Sequence, residues 1–150
     1  MAGTEPDRSR DDKRSMLLTA LYVAQAQHGH LTHQAVQRVA ERLDMDVTEV
    51  FQTATFYSMF RTEPVGRYLI QVCEGLSCHL AGGAEKLLEH LQKRLHIKVG
   101  ETTRDGLFTL ESVQCLAACG SSPAMRVNDT LYENLTMDQV DDILDELRGA

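Results

Sequence analysis

Two pairs of cysteines constrain the fold of this chain more than any other feature of its sequence. The 150 residues contain four cysteines, Cys73 and Cys78 within CEGLSC, and Cys115 and Cys119 within CLAAC. An apolar segment typical of a strand precedes each pair, and turn-forming residues lie within or just after each pair. Four thiols supplied as two close pairs on a shared scaffold indicate one metal centre.

The spacing of the pairs bears on the kind of centre. A 2Fe-2S cluster needs four thiolates, two on each iron, and two close pairs supply them. The pairs here read C-x4-C and C-x3-C, whereas zinc knuckles commonly begin with C-x2-C and thiol-disulfide oxidoreductases carry C-x-x-C. The spacing favours a 2Fe-2S cluster, and it leaves zinc binding, disulfide chemistry and inert buried thiols open as alternatives.

The surroundings of the first pair suggest how its sulfurs are held. Cys73 ends a predicted strand and Cys78 precedes a predicted helix, so both lie at one β-α turn. Gly75 between them permits unusual backbone angles, and amides near a helix N-terminus can stabilise charged sulfur. We expect the loop after the second pair to wrap the other iron. Candidate residues for tuning the centre are Gly75, Ser77, Gly120 and Ser121.

Four of the histidines lie where a metal ligand could be sought. His79 directly follows Cys78 and could replace a ligand, but four thiols already suffice, so we expect a polar side chain on the surface of the centre. His28, His30 and His33 lie beside a predicted turn without a convincing set of partners. We expect them to be exposed loop residues.

Composition and charge set limits on the class of protein. Hydrophobic residues make up 43% and charged residues 25%, a balance typical of a globular protein. The formal net charge of -7 disfavours nucleic-acid binding but allows a basic partner surface. No apolar stretch approaches the roughly 20 residues that cross a bilayer, so no direct membrane insertion is expected.

The N-terminus and the cysteine usage predict a cytoplasmic setting. The first residues lack the apolar core of a secretory signal, and they mix acidic with basic side chains. In a reducing compartment, paired cysteines are more often metal ligands or redox groups than structural disulfides. Any membrane association would then come through partner subunits, at the inner face of the cell membrane.

Helical periodicity dominates the first part of the chain. Residues 1–13 alternate charges without apolar periodicity, which predicts a disordered tail. Apolar residues then recur at helical spacing, with Thr32 as a predicted N-cap and a further helix after Asp46. The sequence therefore predicts a bundle of short helices over residues 14–62.

Strand patterns begin after Pro64 and Gly66, which punctuate the chain. The region 66–150 reads as strand, cysteine pair, helix and then further strands, so it is predicted to be a compact α/β domain. Asn128 and Asp129 predict a tight hairpin turn. The predicted strands are residues 68–72, 107–113, 125–127 and from 131 onward, and a last helix begins with Thr136 as its cap and Gln139 in the capping-box position.

Common enzyme signatures are missing from the sequence. It contains no G-x-G-x-x-G, no phosphate-binding loop ending in Gly-Lys-Ser/Thr and no recognisable serine nucleophile motif. We therefore expect no complete active site on this chain alone.

The sequence as a whole resembles the small 2Fe-2S subunit, the E or 24 kDa-type subunit, of respiratory NADH:quinone oxidoreductase (complex I). Related subunits occur in NAD-reducing hydrogenases and NAD-linked formate dehydrogenases. The resemblance covers nearly everything from the first helix to the last. It is carried by ATFYSMF at 54–60, GRYLIQVCEGLSCHLAGG at 66–83 and DGLFTLESVQCLAACGSSPAMRVND at 105–129.

The resemblance implies a helical N-terminal region followed by a thioredoxin-like 2Fe-2S ferredoxin domain. It makes Cys73, Cys78, Cys115 and Cys119 the ligands of one 2Fe-2S cluster. It also implies a partner flavoprotein that binds NADH and FMN, within a larger respiratory or hydrogenase assembly. On this basis the chain exchanges single electrons with FMN, and hydride chemistry occurs on the partner. The thioredoxin-like fold often places a cis-proline where Pro123 stands, which the sequence leaves undecided.

Overall fold

The structure is a computed structural model that describes residues 8–81 and 83–149, with side chains from residue 12 onward. The chain divides into two compact units, one ending at Pro64 and one beginning at Val65. No helix in these ranges combines the length and apolar character needed to cross a membrane. The first unit contains α1 (Arg8–Ser15), α2 (Leu17–His28), α3 (His33–Leu43) and α4 (Val47–Phe56). The second contains β1 (Tyr68–Cys73), α5 (Leu76–Leu80), α6 (Ala84–Leu95), β2 (Phe108–Val113), β3 (Met125–Val127), β4 (Thr130–Tyr132) and α7 (Met137–Gly149).

The first unit is a small helical bundle whose caps match the sequence signals. Oγ1 of Thr32 accepts a hydrogen bond of 3.1 Å from the amide of Ala35, which confirms the predicted cap of α3. Asp46 caps α4 by accepting from the amide of Thr48 at 2.7 Å. The apolar faces of α2, α3 and α4 meet in a core that includes the fully buried Leu21, Val36, Val50 and Ala54.

A buried glutamine connects α2 to the segment after α4. Nε2 of Gln25 donates to the carbonyl of Met59 at 3.0 Å, and its Oε1 accepts from the amide of Arg61 at 2.7 Å. Both ends of the buried amide are therefore satisfied, as a buried polar group requires. These contacts hold residues 59–61 against the bundle.

The start of the first helix differs from the expected disordered tail over residues 1–13. The helix α1 begins at Arg8, inside that segment, while residues 1–7 lie outside the described residues. An ion pair between Arg14 and Glu49 connects the end of α1 to α4. Periodicity missed this helix because its residues are charged or polar, although Arg and Lys favour helices on their own.

The second unit is built on a four-stranded mixed sheet with the order β2-β1-β3-β4. The strand β1 pairs in parallel with β2 and antiparallel with β3, which explains its continuous apolar sequence: a central strand is buried on both faces. Helices α6 and α7 contribute Leu87, Leu91 and Leu144 to its core. A mixed sheet with flanking helices is the α/β architecture predicted for this region.

The turn and cap predicted near the end of the chain are both present. Asn128 adopts a left-handed conformation, with φ of 51°, between β3 and β4. Its side chain also accepts from the amide of Leu69 at 2.9 Å and donates to the carbonyl of Arg67 at 3.1 Å. Thr136 and Gln139 form the reciprocal capping box at the start of α7. The turn residue thus also fixes the start of β1.

We predict that Gly66→Ala lowers the free energy of unfolding by about 1–3 kcal/mol, because the added methyl group overpacks the sheet edge. A Cβ at this position would lie 2.9 Å from the backbone carbonyl carbon of Phe108. Gly149→Ala is the matched control, since its Cβ meets nothing within 4 Å. Chemical denaturation measures both variants, and equal stabilities would contradict the prediction.

We predict that Asp141→Asn destabilises the chain by about 0.2–1 kcal/mol at neutral pH, the usual range for an exposed ion pair. Oδ1 of Asp141 lies 2.9 Å from Nε2 of His90 and 3.1 Å from Nε of Arg94. The hydrogen bond with His90 is the main cause that holds the pKa of Asp141 below its usual value, and Arg94 acts in the same direction.

A depressed carboxyl pKa stabilises the fold above the unfolded-state pKa, and this contribution disappears as the pH falls through the folded-state value. The difference between wild type and Asp141→Asn should therefore shrink in acid, below the usual aspartate pKa of about 3.9. Asp142→Asn, a position on the same helix, is the control. A cost for Asp141→Asn that stays constant from pH 7 to pH 3 in denaturation curves would contradict the assignment.

Candidate metal centre

The first cysteine pair lies where β1 ends. Cys73 is the last residue of the strand, and its amide donates to the carbonyl of Ala124 at 3.1 Å. The next amide, that of Glu74, donates to the carbonyl of Val113 at the end of β2, at 2.8 Å. The sheet therefore holds the backbone on both sides of Cys73, and the thiol is buried, with 3% exposure.

Gly75 serves a different purpose from the one expected. Its φ of -55° is open to any residue, so unusual backbone angles do not explain the glycine. A Cβ here would lie 3.1 Å from the carbonyl oxygen of Gln114 and 3.4 Å from Sγ of Cys73. The glycine leaves room for the chain before the second cysteine pair, which passes close to the first pair.

Cys78 lies within a helix rather than before one, which corrects the sequence prediction. The short helix α5 spans Leu76–Leu80, and the longer predicted helix begins only at Ala84. Five residues are too few to produce a recognisable apolar period. The helix leaves Leu76 and Leu80 exposed but buries Cys78, with 2% exposure.

The second cysteine pair lies in the loop after β2, and both thiols are exposed. Ala117, between them, has a left-handed conformation with φ of 59°. This conformation lets its amide donate to Sγ of Cys115 at 3.2 Å. Such a bond favours the thiolate that a metal requires. No local pattern signals this contact, because alanine rarely adopts the left-handed conformation.

The loop after Cys119 connects the two pairs. The thiol of Cys78 donates to Oγ of Ser122 at 3.4 Å, and the hydroxyl of Ser122 approaches the carbonyl oxygen of Cys119 at 3.4 Å. The sequence patterns favoured Ser121 and Ser77 as tuning residues and missed Ser122. The sequence could not distinguish Ser121 from Ser122, because the contact with Cys78 depends on how the loop folds back over α5.

Small residues allow the loop after Cys119 to approach the first cysteine pair. Pro123 follows a cis peptide bond, which answers the question that the sequence left open. A Cβ at Gly83 would lie 2.6 Å from Cγ of Pro123. The buried Ala84, Ala118 and Ala124 pack with Cys73 and Cys78 in one cluster of buried residues. A side chain at position 83 would therefore collide with Pro123 in this loop.

The histidines match the expectation only in part. His79 is exposed beside Glu74 and Glu85, in a cavity of about 440 Å³. His28 and His33 are exposed as expected, but they are the last residue of α2 and the first residue of α3 rather than loop residues. His30 lies in the loop between these helices and is half-buried rather than exposed, and its Nδ1 lies 3.1 Å from the carbonyl oxygen of His28. Within residues 8–81 and 83–149, no three His, Cys, Asp or Glu side chains, the four cysteines included, lie close enough together to hold a metal ion. The structure brings Cys73 and Cys78 into one buried cluster but does not gather all four thiols at coordination distance.

The chemistry of the donor set fits a 2Fe-2S cluster. All four cysteines are free, so four thiols are available as ligands. The buried pair lies at the end of β1 and in α5, and the exposed pair lies in the loop after the adjacent strand β2. A hydrogen-bonding group already contacts one sulfur of each pair, Ser122 at Cys78 and Ala117 at Cys115. Each pair can supply the two thiolates that one iron needs.

The family model of the thioredoxin-like [2Fe-2S] ferredoxin matches residues 5–148. The chain belongs to this family, which takes its name from the cofactor that the sequence predicted. The fold class expected from the sequence is thereby confirmed.

Sequence identity to named relatives shows where the chain lies within this family. It is 45% identical over 139 residues to the E 2 subunit of NADH-quinone oxidoreductase from Rhizobium meliloti, a match that covers 93% of this chain and 82% of the relative. It is 42% identical over 135 residues to the E subunit of NADH-quinone oxidoreductase from Rickettsia felis, with 89% and 80% covered. Within the family the chain thus groups with the E subunits of NADH-quinone oxidoreductase, as the sequence resemblance indicated.

A solved structure shows the same fold in another assembly. The NAD+-reducing [NiFe]-hydrogenase in the air-oxidised state matches with a TM-score of 0.79 and 26% identity. The match covers 89% of this chain but only 23% of the hydrogenase chain. The likeness therefore concerns one part of that hydrogenase chain.

We predict that Ser122→Ala makes the reduction potential of the bound cluster more negative. Once Cys78 is a thiolate, the hydroxyl of Ser122 beside it can donate to the sulfur, and hydrogen bonds to sulfur raise the potential of iron-sulfur centres. A shift on the order of 10–60 mV is expected, where 59 mV corresponds to about 1.4 kcal/mol for one electron. Ser77→Ala, one residue from Cys78, is the control. Equal shifts in a redox titration of both variants would contradict a specific role for Ser122.

Proposed function

We propose that this chain is the electron-transfer subunit of an NADH:quinone oxidoreductase (complex I), and that Cys73, Cys78, Cys115 and Cys119 hold one 2Fe-2S cluster. The observation that carries the assignment of the ligands is the parallel pairing of β1 with β2. Cys73 is in register with Val113, and Cys115 follows two residues later. Both cysteine pairs therefore extend from the same end of two neighbouring strands.

The two cysteine pairs would hold the cluster from different environments, one buried and one exposed. Cys73 and Cys78 are buried among alanines, which keeps water from the inner side of the centre. Cys115 and Cys119 are exposed, which would leave the outer side of the centre open to a partner. The amide of Ala117 stabilises negative charge on Cys115. When bound, the cluster supplies one-electron chemistry with little change in the positions of its ligands.

The partner we propose is a flavoprotein subunit that binds NADH and FMN. The named relatives are subunits of an enzyme that uses NADH. Since NADH gives up two electrons as hydride and four thiolates on this chain hold a one-electron centre, the transfer needs a group that accepts hydride and releases single electrons, which is the chemistry of a flavin. Substrate oxidation then takes place on the partner, and this chain exchanges single electrons with it. The complex would lie on the cytoplasmic face of the membrane.

A second candidate function is the equivalent subunit or module of an NAD-reducing hydrogenase. The structural match to the NAD+-reducing [NiFe]-hydrogenase supports it. The genes beside this one distinguish the two candidates. Membrane subunits of a proton pump support the respiratory assembly, and nickel-iron hydrogenase genes support the alternative.

We predict that anaerobic reconstitution gives two irons and two acid-labile sulfides per chain, with a rhombic EPR signal on reduction. Replacing any one of the four cysteines by Ser should lower the cluster content severely, because each iron loses one of its two protein thiolates. His79→Ala is the matched control and should keep the cluster, since His79 is exposed and follows Cys78 directly.

Iron, sulfide and zinc analysis separates the alternatives in one experiment. Stoichiometric zinc without labile sulfide would contradict the function as an electron carrier and would support a zinc-stabilised adaptor. Loss of the cluster in His79→Ala, with retention in one of the Cys→Ser variants, would overturn the ligand assignment. Failure to co-purify with a co-expressed flavoprotein under reducing conditions would count against the partner.

A further inference from the structure

A groove runs between α2 and α3 in the first unit, away from all four cysteines in the sequence. Its volume is about 570 Å³, and every lining residue belongs to these two helices or the residues next to them. Small or buried side chains, Ala20, Ala24, Ala35 and Val39, form much of its apolar surface. Small side chains let another backbone approach closely, so the groove can admit a helix.

The two sides of the groove differ in chemistry. On the α2 side, Met16 and Val23 are 57% and 58% exposed, and their spacing of seven residues places them on one face, two turns apart. On the α3 side, Arg38 and Arg42 are exposed and one turn apart. Apolar side chains of this size, left in water on one face, are typical of a surface that a partner covers.

The charge of the groove is opposite to that of the chain. The formal net charge is -7, yet the charged residues that line the groove in the described part of the chain are Arg38 and Arg42, with no carboxylate among the lining residues. A groove with these arginines attracts a partner with carboxylates, and the acidic chain as a whole does not suit an anionic lipid surface.

We propose that this groove docks an acidic amphipathic helix of a neighbouring subunit in the assembly. The apolar stripe of that helix packs on the alanines and against Met16 and Val23. Two of its carboxylates, three or four residues apart, face Arg38 and Arg42, whose own separation is one helical turn. Helices that bind in grooves use this combination of apolar anchors and flanking charges.

This inference rests on the proposed function only in assuming an assembly, because the groove and the electron-transfer centre use different residues. All residues that carry the groove belong to the first unit, and the four cysteines belong to the second. Variants of the groove should therefore change the affinity for the assembly without changing the iron and sulfide content. A failure of the wild-type chain to join any assembly would instead contradict the proposed function.

The first test compares charge changes on α3. The wild-type chain and its variants are co-expressed with the subunits encoded beside it, and the dissociation constant from the purified assembly is measured at several salt concentrations. We expect Arg38→Gln with Arg42→Gln to weaken binding about tenfold and to flatten its salt dependence. The control is Gln37→Glu, because Gln37 is exposed and does not line the groove. This variant changes the charge of α3 by one unit and should leave the affinity unchanged.

The apolar side is tested by Val23→Ser, which should weaken binding by a similar factor while the salt dependence stays as in wild type. Its control is Ala26→Ser, an exposed position on α2 outside the groove lining. Wild-type affinity in both the double arginine variant and Val23→Ser would overturn the proposal.

The second test identifies the occupant. A photoreactive amino acid at Gln27, an exposed lining residue, is activated within the purified assembly, and the crosslinked peptide is sequenced. A helix of another subunit with two carboxylates three or four residues apart supports the proposal, as does rescue of Arg38→Glu by a Glu→Arg change in that helix. Crosslinks to a second copy of this chain, to lipid or to a helix without carboxylates would overturn it.

Discussion

The parallel pairing of β1 with β2 is the interaction on which the rest of the site depends. Parallel strands end at the same edge of a sheet, so the loops that follow them meet there. The register that aligns Cys73 with Val113 brings two cysteine pairs to one edge, although they are about 40 residues apart in the sequence. An antiparallel pairing of the same strands would have placed them at opposite ends of the sheet.

Close backbone approach is the second requirement, and small residues satisfy it. Gly75 lies against the chain before Cys115 and Gly83 against Pro123, while Gly66, at the opposite end of β1 from Cys73, lies against the backbone of β2. Each of these contacts lies within a few residues of a strand end or a cysteine. Tight packing at Gly75 and Gly83 and a few hydrogen bonds therefore hold the loops of the site.

The two units carry different chemistry. The second unit concentrates thiols, small residues and hydrogen-bonding groups near sulfur at one sheet edge. The first unit carries arginines and exposed apolar side chains along a groove, on a chain whose net charge is negative. In the proposed function, the second unit holds the electron-carrying centre and the first unit attaches the chain to its assembly. Changes in one unit can then alter attachment or electron transfer separately.

Features that local chemistry controls could be predicted from the amino-acid sequence. These are the number and type of thiols, the caps at Thr32 and Thr136, and the turn at Asn128. Two further features emerged only from the folded chain: Cys78 lies inside a five-residue helix, and Ser122 rather than Ser121 contacts its sulfur. A cap or a turn involves residues within three or four positions. A contact between α5 and the loop after Cys119 depends on strand order and register, which no local pattern records.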